Sequence, residues 1–187
     1  MQTQLTKELG LETPIFAFTR SKEVVIEVSR AGGLGVLGAI NLTAAELDET
    51  LNWIDANIDG KPYGVDTVMP MNYEGRGQDF SEEKLRAMIS PAHDKFIADL
   101  LAKYDVGELP PDFKRAGEDL LGWSVERGRE HVEVALKHPI ALIANALGTP
   151  PPDIIELAHE HGVKVGALCG KVKQAVRHRE AGVDIII

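Results

Sequence analysis

Apolar and polar positions along the chain follow two different periods. Short runs rich in Val, Ile, Leu and Ala are separated by longer segments in which apolar residues recur every three or four positions. The short runs predict strands at residues 14–18, 35–39, 63–68, 140–146, 163–168 and 183–187. Strands that alternate with helices are typical of βαβ units, whose strands form a parallel sheet.

Capping residues mark the helices between these strands. Ser21 is a good N-cap for a helix over residues 22–30, which Gly32-Gly33 ends. Thr43, with Glu46 in the third position after it, predicts a capping box for a helix that runs to about residue 58. Further helices are predicted at residues 125–137, 152–161 and 172–180.

This alternation stops between residues 69 and 123, a polar stretch that contains Pro91, Pro110 and Pro111. One helix is predicted to begin at Ser81 and another to cover residues 95–104. A long insertion after a strand is often a lid or a binding element, although some insertions only decorate a fold. Both interpretations stay open.

Composition limits the kind of protein. Of the 187 residues, 44% are hydrophobic and 26% are charged, as in a globular domain. The net charge of -9 disfavours binding to nucleic acid or to an anionic membrane surface. The sequence has no apolar run of membrane-spanning length and no signal-peptide pattern, so a cytoplasmic protein is expected. A single cysteine, Cys169, excludes an internal disulfide and a cysteine-based metal cluster.

Periodicity alone does not decide how the predicted strands are arranged. An open doubly wound sheet and an arc of a (β/α)8 barrel both consist of parallel strands joined by right-handed crossovers. In a barrel, functional residues lie at the carboxyl ends of the strands. The candidates there are residues 17–19, Asp66, residues 145–146 and residues 169–171.

Four segments favour the barrel. They are Pro14-Ile15 with Ala17-Phe18-Thr19, the run VSRAGGLGVLG at residues 28–38, KPYGVD at residues 61–66 and GVDI at residues 182–185. Together they resemble the nitronate monooxygenase (2-nitropropane dioxygenase) family, the glycine-rich run being the most specific. The resemblance implies an α/β fold, a TIM-type (β/α)8 barrel that binds FMN. Residues 1–187 would supply about six of its eight βα units, with the helical insertion at residues 69–123.

The resemblance also implies which residues bind the flavin. Ala17, Phe18 and Thr19 match the loop after the first strand, whose backbone lies near the flavin ring. Asp66 matches a flavin-contacting asparagine, but an ionised carboxylate cannot donate a hydrogen bond as an amide does. A solvated or capped acid at the strand end is the alternative for Asp66. Gly170, after the fifth strand, is a further cofactor-binding candidate.

The substrate side departs from the family in one respect. Members that oxidise nitronates have a histidine on the loop after strand four, and Ala146 stands at that position here. The general base for a carbon acid is therefore missing from its usual place, and the catalytic residue is unknown. Asn145 and Ala146 are the substrate-site candidates, with Asn145 either binding a substrate oxyanion or capping a turn.

The histidines of this chain do not replace the missing base convincingly. His93 lies in the insertion, from which it could swing over the site. The others are expected at the surface or at helix ends: His131, His138, His159, His161 and His178. No metal site is predicted, because no pattern such as His-Glu-x-x-His occurs.

The expected function is that of an FMN-dependent oxidoreductase that oxidises alkyl nitronates, or a similar small substrate, with O2. One alternative is a flavin-dependent enoyl reductase-like enzyme that uses NAD(P)H, and another is a non-catalytic half-barrel interaction module. In the resembled family, loops after later strands hold the flavin phosphate, so a chain ending at Ile187 is expected to be truncated. Strands one and six would then be open edges, and a homodimer is a further expectation.

Overall fold

The computed structural model describes residues 2–71, 82–108, 110 and 124–187. Its strands are β1 (Phe16–Thr19), β2 (Leu34–Gly38), β3 (Tyr63–Thr67), β4 (Leu142–Asn145), β5 (Lys164–Ala167) and β6 (Ile185–Ile186). Its helices are α1 (Gln4–Glu8), α2 (Lys22–Arg30), α3 (Ala44–Asn57), α4 (Glu82–Ala87), α5 (Pro91–Lys103), α6 (Val125–Ala135), α7 (Pro152–Glu160) and α8 (Val172–Glu180). The predicted alternation of strands and helices is confirmed, as is the capping box of Thr43 and Glu46.

The sheet has one strand order, β1-β2-β3-β4-β5-β6, and every neighbouring pair is parallel. A doubly wound sheet reverses its order at a switch point, whereas a barrel adds each strand beside the previous one. The unbroken chain order therefore identifies an incomplete TIM-type barrel, a half-barrel of α/β class. Its register places Gly38 of β2, Asp66 of β3 and Ala144 of β4 side by side.

Two apolar layers stabilise the half-barrel. The larger one lies between the sheet and the outer helices, and Val65 of β3 and Ile154 of α7 are fully buried in it. The smaller one lies on the other face of the sheet, where Leu34 and Leu142 pack with Leu9, the residue that caps α1. Parallel sheets are normally covered on both faces, and here the N-terminal segment covers part of the inner face.

The glycine-rich run at residues 28–38 has the structural role that the sequence predicts. Gly32 lies in the turn after α2 with a φ of +87°, a backbone conformation that residues with a Cβ rarely adopt. A Cβ on Gly35 would lie 2.4 Å from the carbonyl oxygen of Val25, so only glycine lets α2 pack this closely on β2. The run therefore sets the distance between a helix and the sheet.

The first strand differs from its prediction at both ends. β1 begins at Phe16 because Pro14 has no N–H to donate to a neighbouring strand. It continues to Thr19, which pairs with Leu37 of β2. Residues 17–19, expected in the loop after the strand, therefore form its last positions.

Asp184, in the GVDI segment, has a structural role at the start of β6. One oxygen of its carboxylate, Oδ2, accepts a hydrogen bond from the backbone N–H of Val165 at 2.8 Å. The same oxygen lies 2.8 Å from Nε2 of His159 on α7. The Asp184 side chain thus joins the start of β6 to β5 and to α7.

The chain divides into two compact units: Met1–Met71 with Gly122–Ile187, and Asn72–Leu121, which contains most of the insertion. Both predicted helices are present in its described part as α4 and α5. α5 begins at Pro91, earlier than predicted, because proline is favourable in the first turn of a helix. A lid function for the insertion stays a prediction. Within the described residues, no helix is both long enough and apolar enough to span a membrane.

Candidate active site

A cavity of about 340 Å³ lies on the inner face of the half-barrel. Side chains two residues apart on one strand point to the same face, so alternate positions form the lining. The lining residues are Phe16, Phe18, Val36, Asp66, Leu142, Ala144, Ala146, Leu168 and Ile187. Of these, Ala146 and Leu168 come directly after β4 and β5, so the cavity includes the carboxyl ends of the strands.

Asp66 is the polar residue of this lining. The residue is 8% exposed, and its Oδ1 atom has no hydrogen-bond partner among the described residues. Burial raises the pKa of the Asp66 carboxyl from 3.8 to about 7. A solvated strand-end acid, the alternative drawn from the sequence, does not fit this degree of burial. Near neutral pH the group can therefore donate a hydrogen bond when protonated and take up a proton when ionised.

Asn145 lies at the end of β4 and is fully buried. Its Oδ1 accepts a hydrogen bond from the N–H of Met69 at 2.7 Å. Its Nδ2 donates to the carbonyl oxygens of Met69 at 3.2 Å and Gly148 at 2.8 Å. Both amide hydrogens are thus used to hold the loops after β3 and β4 together. The geometry favours the structural alternative for Asn145, and a direct contact with substrate stays a prediction.

The three candidates on β1 differ in their surroundings. Phe18 lines the cavity and is 62% exposed, the largest apolar surface at this end of the strand. The Oγ1 of Thr19 accepts a hydrogen bond from the N–H of Ser21, the N-cap of α2. Ala17 pairs with Gly35 in the sheet and is half-buried. Only Phe18 of the three contributes to the lining, so flavin contacts of Ala17 and Thr19 would be made outside it.

Gly170 lies in the exposed loop between β5 and α8. Its N–H donates to Oε1 of Gln174 at 2.9 Å, an interaction within the start of α8. Gly170 is outside the cavity lining, whereas Leu168, two residues earlier, is part of it. Cofactor binding by Gly170 therefore stays a prediction.

His178 joins the loops on this side of the barrel, a role that sequence reasoning missed. It is 2% exposed and lies in the last turn of α8, so of the two expected positions, the surface or a helix end, the second is confirmed. Nδ1 lies 2.9 Å from Oγ1 of Thr149, and Nε2 lies 3.2 Å from the carbonyl oxygen of Leu168. Each ring nitrogen of His178 therefore has one hydrogen-bonding partner. These contacts fix the position of Leu168, and nothing in the local sequence pattern around His178 indicates them.

His131, expected at the surface or at a helix end, is instead buried within α6. His131 is 1% exposed, because α6 packs against α3. The Nε2 atom of His131 lies 2.8 Å from the carbonyl oxygen of Leu42, which precedes α3. Burial lowers the pKa of His131, so a neutral ring that donates to this carbonyl fits the site. His138 lies between Asp55, at 2.7 Å, and Asp48, at 3.3 Å. These histidines hold helices in place and lie outside the cavity lining.

Sequence comparisons show similarity to proteins named as monooxygenases. A family profile for nitronate monooxygenase matches residues 5–187. The chain is 40% identical, over all of its length, to a Mycobacterium tuberculosis protein, Rv1533, that is named as a monooxygenase. It is 22% identical, again over all of its length, to a Staphylococcus aureus protein named as a nitronate monooxygenase. The match covers 50% of the first protein and 48% of the second, so the chain spans about half the length of these relatives.

Solved structures show the same fold. The nitroalkane oxidase of Streptomyces ansochromogenes superposes with a TM-score of 0.67 at 20% identity, covering 98% of this chain and 47% of the other. FabK of Thermotoga maritima superposes with a TM-score of 0.63 at 19% identity, covering 100% of this chain and 43% of the other. At this level of identity the likeness establishes a shared fold, and the half coverage agrees with an incomplete barrel.

Proposed function

Because the chain belongs to the nitronate monooxygenase family, we propose that the protein is an FMN-dependent oxidoreductase acting on alkyl nitronates or a similar small substrate with O2. The observation that carries this proposal is the apolar cavity on the inner face of the half-barrel, with one buried carboxyl, Asp66, in its lining. Ligand sites in barrel enzymes lie at the carboxyl ends of the strands, where Ala146 and Leu168 contribute to this cavity.

The cavity fits a flavin ring in its size and in its chemistry. Cavities that bind small molecules measure roughly 300–1,000 Å³ and are mostly apolar with a few polar groups, and this one measures about 340 Å³. Phe18 and Leu168 offer apolar contact to the faces of a planar ring, and Asp66 offers a partner to a polar ring edge. When bound, FMN would supply electron acceptance from the substrate and transfer to O2.

The chain's own residues would position the ligand and exclude water. Asn145 joins the segments after β3 and β4, and the second of these includes Ala146 of the cavity lining. His178 fixes Leu168 on the neighbouring loop. Backbone groups of residues 17–19 and of Gly170 would complete the cofactor contacts. In this proposal residues 1–187 are part of one barrel domain with an insertion at residues 69–123, and a cytoplasmic location and a homodimer remain predictions.

The size and lining of the cavity also bear on the substrate. A charged lining would select a strongly ionic substrate, but here eight of the nine lining residues are apolar. Beside the flavin ring, a small organic substrate with a short alkyl part therefore fits this lining better than a strongly ionic one. Alkyl nitronates belong to this class.

Anaerobic reduction of bound flavin tests the proposal. The protein is expressed from the complete gene that encodes this chain, loaded with FMN, and mixed with ethyl nitronate or with NADPH. Bleaching of the flavin absorbance by the nitronate, with little bleaching by NADPH, is the expected result. The reverse pattern would favour the enoyl reductase-like alternative. A protein that takes up no FMN would contradict the flavin assignment and favour the interaction module.

A further inference from the structure

Asp66 stands apart from the other polar groups at the strand ends. Its Oδ1 atom is buried and has no hydrogen-bond partner in the described part of the chain. By contrast, the neighbouring hydroxyl of Thr67 donates to the carbonyl oxygen of Ala144 at 3.2 Å. Asn145 uses its whole carboxamide in contacts with the backbone. A buried polar atom without a partner lowers the stability of a fold. Asp66 therefore destabilises this protein, and no contact within the described residues compensates for it.

The surroundings of Asp66 leave it as the ionisable side chain of the cavity. Its register neighbours, Gly38 on β2 and Ala144 on β4, carry no charge. No charged side chain faces it from the cavity-lining positions of the other described strands. The described histidines of the barrel make their contacts elsewhere: His131, His138, His159, His161 and His178.

We propose that the Asp66 carboxylate is the general base that removes a proton from the α-carbon of a neutral carbon acid, such as a nitroalkane, bound in this cavity. The inference rests on the proposed function and assigns the base that the sequence leaves unidentified. In the step, the carbon–hydrogen bond breaks and its proton forms an O–H bond on Asp66. The electron pair moves into the nitro group and gives the nitronate anion. No oxidant is consumed, so proton transfer is separable from electron transfer to the flavin.

Several features of the site suit this step. Burial raises the pKa of Asp66 to about 7, and a general base works best when its pKa lies near the operating pH. The apolar lining accepts a neutral alkyl substrate and keeps water from competing for the carboxylate. After the transfer, the protonated carboxyl can donate a hydrogen bond to the anionic product. The carboxyl group can thus act as a base toward the neutral substrate and as a hydrogen-bond donor toward the anionic product.

The pH profiles of the two substrates should therefore run in opposite directions. Deprotonation of a nitroalkane requires ionised Asp66 and increases as the pH rises through about 7. Binding of a preformed nitronate is favoured by protonated Asp66 and weakens over the same range, because two anions would then share an apolar cavity.

Exchange of the α-hydrogen of nitroethane for deuterium tests the proposal without flavin turnover. The protein, from its complete gene, is kept anaerobic with dithionite in D2O so that bound flavin stays reduced, and loss of the α-hydrogen NMR signal is followed. Wild type should exceed buffer, and Asp66→Asn should lose about a hundredfold or more of that excess. Asp66→Glu, which keeps the carboxylate, should retain part of it. Asp59→Asn, at an exposed turn, is the control and should behave as wild type.

Each outcome separates this proposal from the proposed function. Equal exchange in wild type and Asp66→Asn would overturn the role of Asp66, whether or not nitronate still reduces the flavin. Loss of exchange in Asp66→Asn would support Asp66 even if FMN were not taken up. Infrared spectra provide a second readout, since a protonated-carboxyl band that titrates near pH 7 should be present in wild type and absent from Asp66→Asn. Absence of that band from wild type would also overturn the proposal.

Discussion

The carboxamide of Asn145 holds the backbone of Met69 through both of its polar groups. Oδ1 accepts from the Met69 N–H at 2.7 Å, and Nδ2 donates to the Met69 carbonyl oxygen at 3.2 Å. The contact joins the segment after β3 to the end of β4, and both strands contribute residues to the cavity lining, Asp66 from β3 and Ala144 from β4. An asparagine is suited to this arrangement because its planar amide carries both a hydrogen-bond acceptor and two hydrogen-bond donors.

Replacing Asn145 with Asp tests this contact. The shape of the side chain is kept, but an ionised carboxylate cannot donate to the carbonyl oxygens of Met69 and Gly148. The free energy of unfolding should fall by about 3 kcal/mol, because two buried acceptors lose their donor beside a buried charge. Urea denaturation measures the change. Asn41→Asp, at an exposed turn between β2 and α3, is the control and should alter stability by less than about 0.5 kcal/mol.

The raised pKa of Asp66 predicts that stability depends on pH through this residue. The folded state holds the proton up to about pH 7, whereas the unfolded chain releases it near 3.8. Between these values the folded state binds more protons, so the contribution of Asp66 to stability falls as the pH rises from about 4 to 7 and then levels off. The neutral isostere Asp66→Asn should remove this dependence.

The size of the effect follows from the pKa difference. Each pKa unit corresponds to about 1.4 kcal/mol, so Asp66→Asn should be more stable than wild type by up to about 4 kcal/mol at pH 8. At pH 4 the two proteins should be nearly equal. Urea denaturation over this pH range provides the measurement. Parallel pH profiles for the two proteins would show that Asp66 ionises at its ordinary pKa.

Gly35→Ala tests the close packing of α2 on β2. A Cβ at this position would lie 2.4 Å from the carbonyl oxygen of Val25, and a backbone atom cannot move away without shifting the helix. The free energy of unfolding should fall by about 1–3 kcal/mol. Gly107→Ala, where a Cβ would meet no atom within 4 Å, is the matched control. A variant at Gly35 as stable as this control would contradict the packing role of the glycine-rich run.

Much of the fold could be predicted because its signals are local. The capping box of Thr43 and Glu46, the glycine-rich turn and the apolar runs each depend on residues close together in the sequence. They identified the strands and helices and, with the resemblance, the barrel. The ends of β1 were predicted less well, because the end of pairing at Thr19 depends on Leu37 of the neighbouring strand.

The candidate site was predicted only in part, since its details depend on contacts between distant residues. The sequence indicated Asp66 as a strand-end acid, but the apolar side chains that bury it come from other strands, such as Phe18 and Leu142. The buried position of His178 likewise depends on Thr149 and Leu168, which lie on other loops. Neither arrangement has a signature in local periodicity.

FMN titration of a cavity-filling variant tests whether the flavin occupies the cavity on the inner face of the half-barrel. Ala146→Trp would place an indole in the cavity, and Ala31→Trp, at the exposed C-cap of α2, adds the same side chain at the other end of the sheet. Both are expressed from the complete gene, checked for wild-type circular dichroism, and titrated with FMN by flavin fluorescence. We expect Ala146→Trp to weaken FMN binding at least tenfold and Ala31→Trp to bind FMN as wild type does. Equal binding by both variants would show that the flavin does not occupy this cavity.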